Sequence, residues 1–346
     1  MKRNPLDLVR DNIRSLVPYS SARDEFSGTA SIYMDANENP YNEPLNRYPD
    51  PQQTALKSKL SAIRNFPVSQ IFLGNGSDEA IDILIRIFCE PRQDNAMMIE
   101  PSYGMYAVCA HINNVEIRKV MLNPDFTLDP DRVLSAADEH TKILFLCSPN
   151  NPTSNLLEKK SVTKIIERIN AIVVIDEAYI DFSHSPGFSE YINDYSNLVV
   201  LQTFSKSWAL AGIRLGMAIA GYHIISYMNR VKYPYNINRL TINKALEELE
   251  HSELRSEWIQ EIIQERERVT KELGSFPFVR KIYPSDANFL LVKVKNPRAL
   301  YNYLLENGII IRDRSQTPLC EGCVRITIGT RKENNCLIEA LEKMKL

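Results

Sequence analysis

The chain has little cysteine and no surplus of either charge sign: six cysteines in 346 residues, and 41 Lys and Arg against 43 Asp and Glu. A chain of this length buries a core without disulfide or metal staples. The cysteines stand at 89, 109, 147, 320, 323 and 336, most of them inside apolar runs such as IRIFCE and ILFLCS, and read as reduced core residues of a cytoplasmic protein. Cys320 and Cys323 form a CxxC, but no second ligand pair at suitable spacing accompanies it, so no metal site is expected. The net charge of −2 gives no electrostatic pull toward nucleic acid or an anionic membrane. No run of about 18 apolar residues is present, which excludes an expected membrane-spanning helix. The start, MKRNPLDLVRDNIRSL, is charged every few residues and lacks the apolar region of a secretory signal. Fixed-period repeats and low-complexity tracts are absent as well.

What the chain does have is an ordinary globular composition, 44% hydrophobic and 24% charged, and length for about two domains. Helical periodicity marks residues 54–66, 78–89, 158–169 and 253–273, the last laced with i, i+4 ion pairs. Between the helices lie continuous, β-branched apolar runs: IFLG from Ile71, AMMIE from Ala96, KILFLCS from Lys142, AIVVIDE from Ala171 and NLVVLQT from Asn197. Such runs suit strands covered on both faces, so an α/β domain with a mostly parallel sheet between helices is expected. After about residue 240 the pattern changes. FVRKIY, ANFLLVKV and CVRITIG read as strands, with helices at 297–307 and 332–345, which describes a smaller α+β unit. The expected division is an N-terminal arm at 1–45 belonging to the small domain, a large domain at 46–240 and a small C-terminal domain at 241–346.

Chemistry concentrates where the apolar runs end. TFSKSWALAGIRLG, following NLVVLQ, puts Lys206 between Ser205 and Ser207 with Arg214 eight residues on. In open α/β sheets, strand ends deliver ligand-contacting groups. Read alone, such a lysine is a solvated loop residue. Asp176 ends the run AIVVID, and Tyr179 follows three residues later. Alone, this carboxylate reads equally well as a turn former or cap; a functional role needs a cationic partner. The pyridine nitrogen of pyridoxal phosphate is such a partner, and a lysine, a carboxylate and a phenol together are what that cofactor requires. Three further stretches fit. IFLGNGSDEAIDIL runs strand, turn, helix, so the free amides of Ser77, Asp78 and Glu79 can hold a phosphate at a helix N-terminus. Gly74 and Gly76 begin a GxG, but Glu79 occupies the third glycine position of a dinucleotide fingerprint, which weakens a nicotinamide reading. SPNNPTS presents Asn151 in a turn, and EPSYGMY places Tyr103 where its ring can stack on a flat cofactor, a plain turn and a core tyrosine being the alternatives.

These motifs together resemble the fold-type I (class II) pyridoxal-phosphate-dependent aminotransferases, and within them the histidinol-phosphate branch. The similarity runs from LVPYSSAR and DANENPY through RYPDPQ, GNGSDE, PSYGMY, SPNNPT, IDEAYIDF and TFSKSWALAGIRLG to IIIRDR and VRITIGT. It implies that Lys206 carries pyridoxal 5'-phosphate and shuttles the substrate proton. Asp176 would pair with the ring nitrogen, Tyr179 and Asn151 would bond the ring oxygen, and Tyr103 would stack. Ser205, Arg214 and the amides at Gly76, Ser77 and Asp78 would hold the phosphate. Tyr48 matches a tyrosine that reaches the phosphate from the neighbouring subunit, which implies a homodimer. Arg325 and Arg312 match the arginines that seat substrate anions, and Tyr19 and Asn39 match an arm that closes over the substrate.

The implied reaction moves the amino group of L-histidinol phosphate to 2-oxoglutarate, giving imidazole acetol phosphate and L-glutamate, a step of histidine biosynthesis. Small molecules are the expected partners, without nucleic acid or membrane. The competing readings are an aromatic amino acid aminotransferase, a phosphothreonine decarboxylase, a non-catalytic cofactor-binding regulator and a nicotinamide oxidoreductase. A regulator would carry an appended DNA-binding module or have lost the lysine, and neither is seen. One departure from the family pattern is Ser154, where Gly commonly follows Asn-Pro-Thr; its turn must form without glycine's freedom.

Overall fold

The computed structural model describes residues 4–21, 23, 28 and 30–344. Parts of the expected arm and Lys345 of the last expected helix lie outside those residues. Seven strands form the larger sheet: β1 (Ile71–Asn75), β2 (Asn95–Glu100), β3 (Glu116–Met121), β4 (Thr141–Cys147), β5 (Ile172–Asp176), β6 (Leu198–Thr203) and β7 (Leu215–Ala220), in spatial order β1-β7-β6-β5-β4-β2-β3. Neighbours from β6 to β3 are parallel, while β7 runs antiparallel to both β6 and β1.

Alternation along the central strands explains why they are apolar throughout. Val173 and Ile175 of β5, with Leu144 and Leu146 of β4, face one apolar cluster. Ile172 and Val174, with Ile143 and Phe145, face the other. Both faces are helix-covered, so every position is buried, and each such aliphatic side chain contributes about 1.5–3 kcal/mol. The covering helices include α1 (Thr54–Arg64), α2 (Gly76–Phe88), α3 (Met105–Ile112), α4 (Pro130–Ala136), α5 (Lys159–Arg168), α6 (Tyr222–Val231) and α7 (Arg239–Glu248). Their starts follow local chemistry: α4 begins with Pro130 behind Asp129, whose carboxylate accepts the Asp131 and Arg132 amides.

The long helix α8 (Ser252–Leu273) leads to a four-stranded antiparallel sheet of order β10-β11-β9-β8: β8 (Val279–Ile282), β9 (Phe289–Val294), β10 (Arg312–Asp313) and β11 (Cys323–Thr327). Helices α9 (Pro297–Glu306) and α10 (Arg331–Lys343) complete this unit, the latter opened by a capping box between Thr330 and Glu333. Its core gathers Leu290, Val292, Val324, Ile326, Leu300 and Leu337. A smaller cluster of Tyr179, Phe182, Ile259, Ile263, Ala287 and Phe289 joins residues that follow β5 to α8 and β9. Across the same seam the buried Arg266 donates to the carbonyls of Phe182 at 3.1 Å and Ala287 at 2.8 Å.

Five cysteines are buried, as their apolar runs imply, but Cys336 is exposed. It lies in α10 outside an apolar run, on a face that the core does not cover.

Candidate active site

The carboxyl ends of β1, β2, β4, β5 and β6 and the start of β7 open on one cavity of about 610 Å³. Twelve of the fifteen residues expected from sequence line it: Gly76, Ser77, Asp78, Tyr103, Asn151, Asp176, Tyr179, Ser205, Lys206, Arg214, Arg312 and Arg325. β10 and β11 of the smaller sheet supply the last two, so the site is built from both sheets.

At one end, α2 presents its N-terminus. Its N-cap Asn75 makes no side-chain cap bond, and among the described residues no acceptor is recorded for the amides of Ser77 and Asp78. Gly76 sits at φ +71°, and a Cβ there would stand 2.7 Å from Arg214 Nη2. Gly216 is tighter, since a Cβ would overlap the backbone of Gly76 and Ser77. Two glycines therefore let β7 and Arg214 close on the helix start. Arg214 Nη2 lies 3.3 Å from Asp78 Oδ2, its Nη1 3.5 Å from Ser205 Oγ, and Tyr103 donates to Asp78 Oδ1 at 3.1 Å. Free helix amides, a serine and a guanidinium form a cradle for a phosphate.

The middle is set by Asp176, the last residue of β5 and almost fully buried. Burial pushes its carboxyl up to about 6, against the pull of bonds from Tyr106 Oη at 2.8 Å and the Ala178 amide at 3.1 Å. A buried carboxylate of this kind is eased by a cation beside it. Lys206 Nζ stands 5.7 Å from the centre of the Tyr179 ring. Burial first, then Arg325 and Arg214, lower its pKa, and among the described residues no carboxylate lies within ion-pair distance. Its loop is anchored next door: Ser207 donates to Asp181 Oδ2 at 2.5 Å, and Asp181 also pairs with Arg255 at 2.5 Å and Arg64 at 3.6 Å.

At the far end, Arg325 Nη1 donates to Asn151 Oδ1 at 2.6 Å, and its guanidinium carbon lies 5.2 Å from the centre of the Phe289 ring, which also packs edge-on against Tyr179. Asn151 is presented by a turn in which Ser154 adopts φ +65°. The Ser154 amide donates to Asn150 O at 2.7 Å, its carbonyl accepts from Asp286 N at 2.8 Å, and its hydroxyl donates to Thr153 O at 2.6 Å. The left-handed turn is thus formed by serine, held by bonds on both sides.

Three expected residues are not at this cavity. Tyr48 stacks on Tyr235 at 4.4 Å and is half exposed. Tyr19 is exposed and lines a separate pocket with Pro51 and Arg230, and Asn39 accepts a bond from the Tyr41 amide at 3.0 Å. Neither Tyr19 nor Asn39 lines the cavity of its own chain. Sequence reasoning also missed residues. Tyr106 bonds Asp176, Cys147 and Arg314 line the cavity, and Asp181 braces the lysine loop. Tyr106 and Arg314 stand inside quoted motifs, and only the three-dimensional placement separates them from their neighbours.

The ring acceptor, the amine, the phosphate cradle and the arginines match the donor set that pyridoxal phosphate and an anionic substrate require. Comparison with known proteins agrees. The family described as aminotransferase class I and II matches residues 30–341. Curated relatives named histidinol-phosphate aminotransferase include one from Parabacteroides distasonis, 56% identical over 98% of this chain and 99% of the relative, and one from Bacteroides thetaiotaomicron, 51% identical over 97% and 98%. Among solved structures, the histidinol-phosphate aminotransferase of Clostridium acetobutylicum superposes with a TM-score of 0.79 at 27% identity, covering 86% of this chain and 90% of that one. A second, from Sinorhizobium meliloti in complex with pyridoxal-5'-phosphate, shares the fold with a TM-score of 0.76 at 21% identity, covering 86% and 84%. The chain belongs to the class I and II aminotransferases and, within them, to the histidinol-phosphate aminotransferase family.

Proposed function

We propose that the chain catalyses transamination between L-histidinol phosphate and 2-oxoglutarate, yielding imidazole acetol phosphate and L-glutamate, with pyridoxal 5'-phosphate as cofactor. The observation that carries this reading is the convergence in one cavity of Lys206, Asp176 and the α2 phosphate cradle with Arg312 and Arg325. When bound, the cofactor supplies an electron sink conjugated to the carbon that loses its proton. The chain's residues do the rest. Ser205, Arg214 and the Ser77 and Asp78 amides would hold the cofactor phosphate; Asp176, braced by Tyr106, would pair with the ring nitrogen; Asn151 and Tyr179 would hold the ring oxygen; and Tyr103 would cover the ring. Lys206, with its pKa lowered by burial and nearby guanidiniums, takes the proton from the donor's α-carbon and returns it. Arg312 and Arg325 seat the anionic ends of donor and acceptor. Steady-state kinetics test the substrate: kcat/KM for histidinol phosphate should exceed that for phenylalanine by at least about 100-fold, and equal values would remove the histidine-pathway assignment.

The protein is further proposed to work as a homodimer, with Tyr48 serving the partner's cofactor phosphate. Support comes from the exposed apolar side chains of Tyr41, Tyr48, Tyr233 and Leu240, and from the position of Tyr48 outside its own cavity. A sedimentation mass of one 39.7 kDa chain for the active species would end this reading. The division at 1–45, 46–240 and 241–346 is proposed as the domain plan; the separate sheets support a boundary near residue 240, whereas Leu8, Val9 and Ile13 of the arm pack in the larger unit's apolar cluster and not in the small domain expected to hold them. Five buried free cysteines accord with a cytoplasmic setting; isolation of the native protein with those thiols oxidised would count against it. No described helix is long and apolar enough to cross a membrane.

A further inference from the structure

β10 and β11 make a short antiparallel ribbon on the wall of the cavity, with Arg312 directly opposite Arg325 and Asp313 opposite Val324. The ladder continues one residue further through the Arg314 amide, which donates to Cys323 O at 2.9 Å. Side chains alternate along a strand, so Arg312 and Arg314 share a face, and opposite pairing puts Arg325 on it too. All three line the cavity. The intervening Asp313 does not neutralise them: its carboxylate accepts from Ser315, at 2.8 Å from the amide and 2.5 Å from the hydroxyl.

The result is a cluster of three guanidiniums without an acid. Among the described residues, no carboxylate lies within 4.0 Å of Arg312, Arg314 or Arg325, and Arg325 donates instead to the neutral Asn151. Arg314 is the most constrained. It is half-buried, its Nε is buried with no partner, and Arg325 and Arg312 add repulsion to the effect of burial in lowering its pKa. Like charges facing one another across a ribbon are unfavourable, and a buried donor without an acceptor costs more. Neither arrangement stabilises the fold by itself. Both become favourable when an anion with several acceptor oxygens sits among the three groups. A carboxylate offers two oxygens and one charge, whereas a phosphate monoester offers three oxygens and nearly two charges.

We infer that Arg314 is a specificity-determining residue, a third guanidinium that closes around the phosphate of a phosphorylated amino donor and favours that dianion over a carboxylate at the same place. The inference rests on the proposed reaction for its substrate, while the anion site itself is testable without it.

The test uses purified holoenzyme in three forms: wild type, Arg314→Gln and Arg314→Lys. With the cofactor phosphate site already filled, inorganic phosphate probes the arginine cluster as a competitive inhibitor and as a stabiliser in thermal melts. Arg314→Gln should weaken phosphate inhibition about tenfold or more, the loss of a charge-assisted bond to a dianion. It should lower kcat/KM for histidinol phosphate by a similar factor, mainly through KM, while the half-reaction with glutamate changes less than about threefold. Arg314→Lys should recover part of the phosphate affinity. Phosphate should raise the melting temperature of wild type more than that of Arg314→Gln. Equal losses for histidinol phosphate and glutamate, or unchanged phosphate inhibition in Arg314→Gln, would overturn the inference. If wild type ignores histidinol phosphate, the substrate reading fails; phosphate inhibition that still depends on Arg314 would then keep the anion site, and inhibition independent of it would remove that too.

Discussion

Glu177 shows how closely a working residue and its structural neighbour sit in this chain. It follows Asp176 directly, is also almost fully buried, and points away from the cavity to accept bonds from the Phe188 amide and from Gln202 Nε2 at 3.1 Å. Burial pushes its carboxyl up to about 7. Because the folded pKa lies above the unfolded value, the folded state binds the extra proton. The contribution to stability is therefore fully present below about pH 4 and is lost as pH rises through 7. Gln202 Oε1 is buried without a partner, and a neutral, proton-bearing group at 177 can donate to it after an amide flip. Glu177→Gln should accordingly raise the melting temperature at pH 8 and change it little at pH 5; a variant less stable than wild type at pH 8 would contradict this account. Nothing in the run IVVIDEAY separates the two acids, and alternation alone assigns opposite sides to 176 and 177 without saying which side holds the site.

Among the elements, those buried on both faces were legible and those that break the pattern were not. β4, β5 and β6 read directly from continuous apolar runs. β3, EIRKVM, is the outer strand and carries charge at exposed positions, so it lacks the buried-strand signature. β7, LGMAIA, follows the lysine loop so closely that its apolar run merges with the motif, and its antiparallel sense cannot be read from composition. The tightness of that loop has a mechanical reason, since Gly216 must pass against the backbone of Gly76 and Ser77 to hold Arg214 beside the α2 amides. Gly216→Ala should therefore displace the helix start. A stability loss of about 1–3 kcal/mol is expected in denaturant melts, with weakened retention of the cofactor on dialysis. Full cofactor retention in this variant would show that the cradle tolerates the shift.

At the scale of the whole molecule, a net charge of −2 conceals a sharply positive cleft, in which Lys206, Arg214, Arg312, Arg314 and Arg325 share one cavity with Asp78 and Asp176. That concentration arises from topology: residues 206 and 214 flank a strand junction in the larger sheet, and 312, 314 and 325 ride a ribbon of the smaller one. The seam of Tyr179, Phe289 and Arg266 packs the two together. Sequence motifs named most of the participants, because each loop follows a strand whose end faces the cavity. They did not show that the arm residues Tyr19, Asn39 and Tyr48 stand outside their own chain's site, which depends on where the arm runs. We propose that this cleft holds pyridoxal phosphate on Lys206 and exchanges an amino group through it. A spectral titration of the purified protein with histidinol phosphate tests that most directly. The wild type should show a cofactor band near the visible edge that converts to the amino form as donor is added, and Lys206→Ala should lose the conversion. A colourless wild-type protein that is fully active, or a Lys206→Ala variant that converts like wild type, would contradict the account.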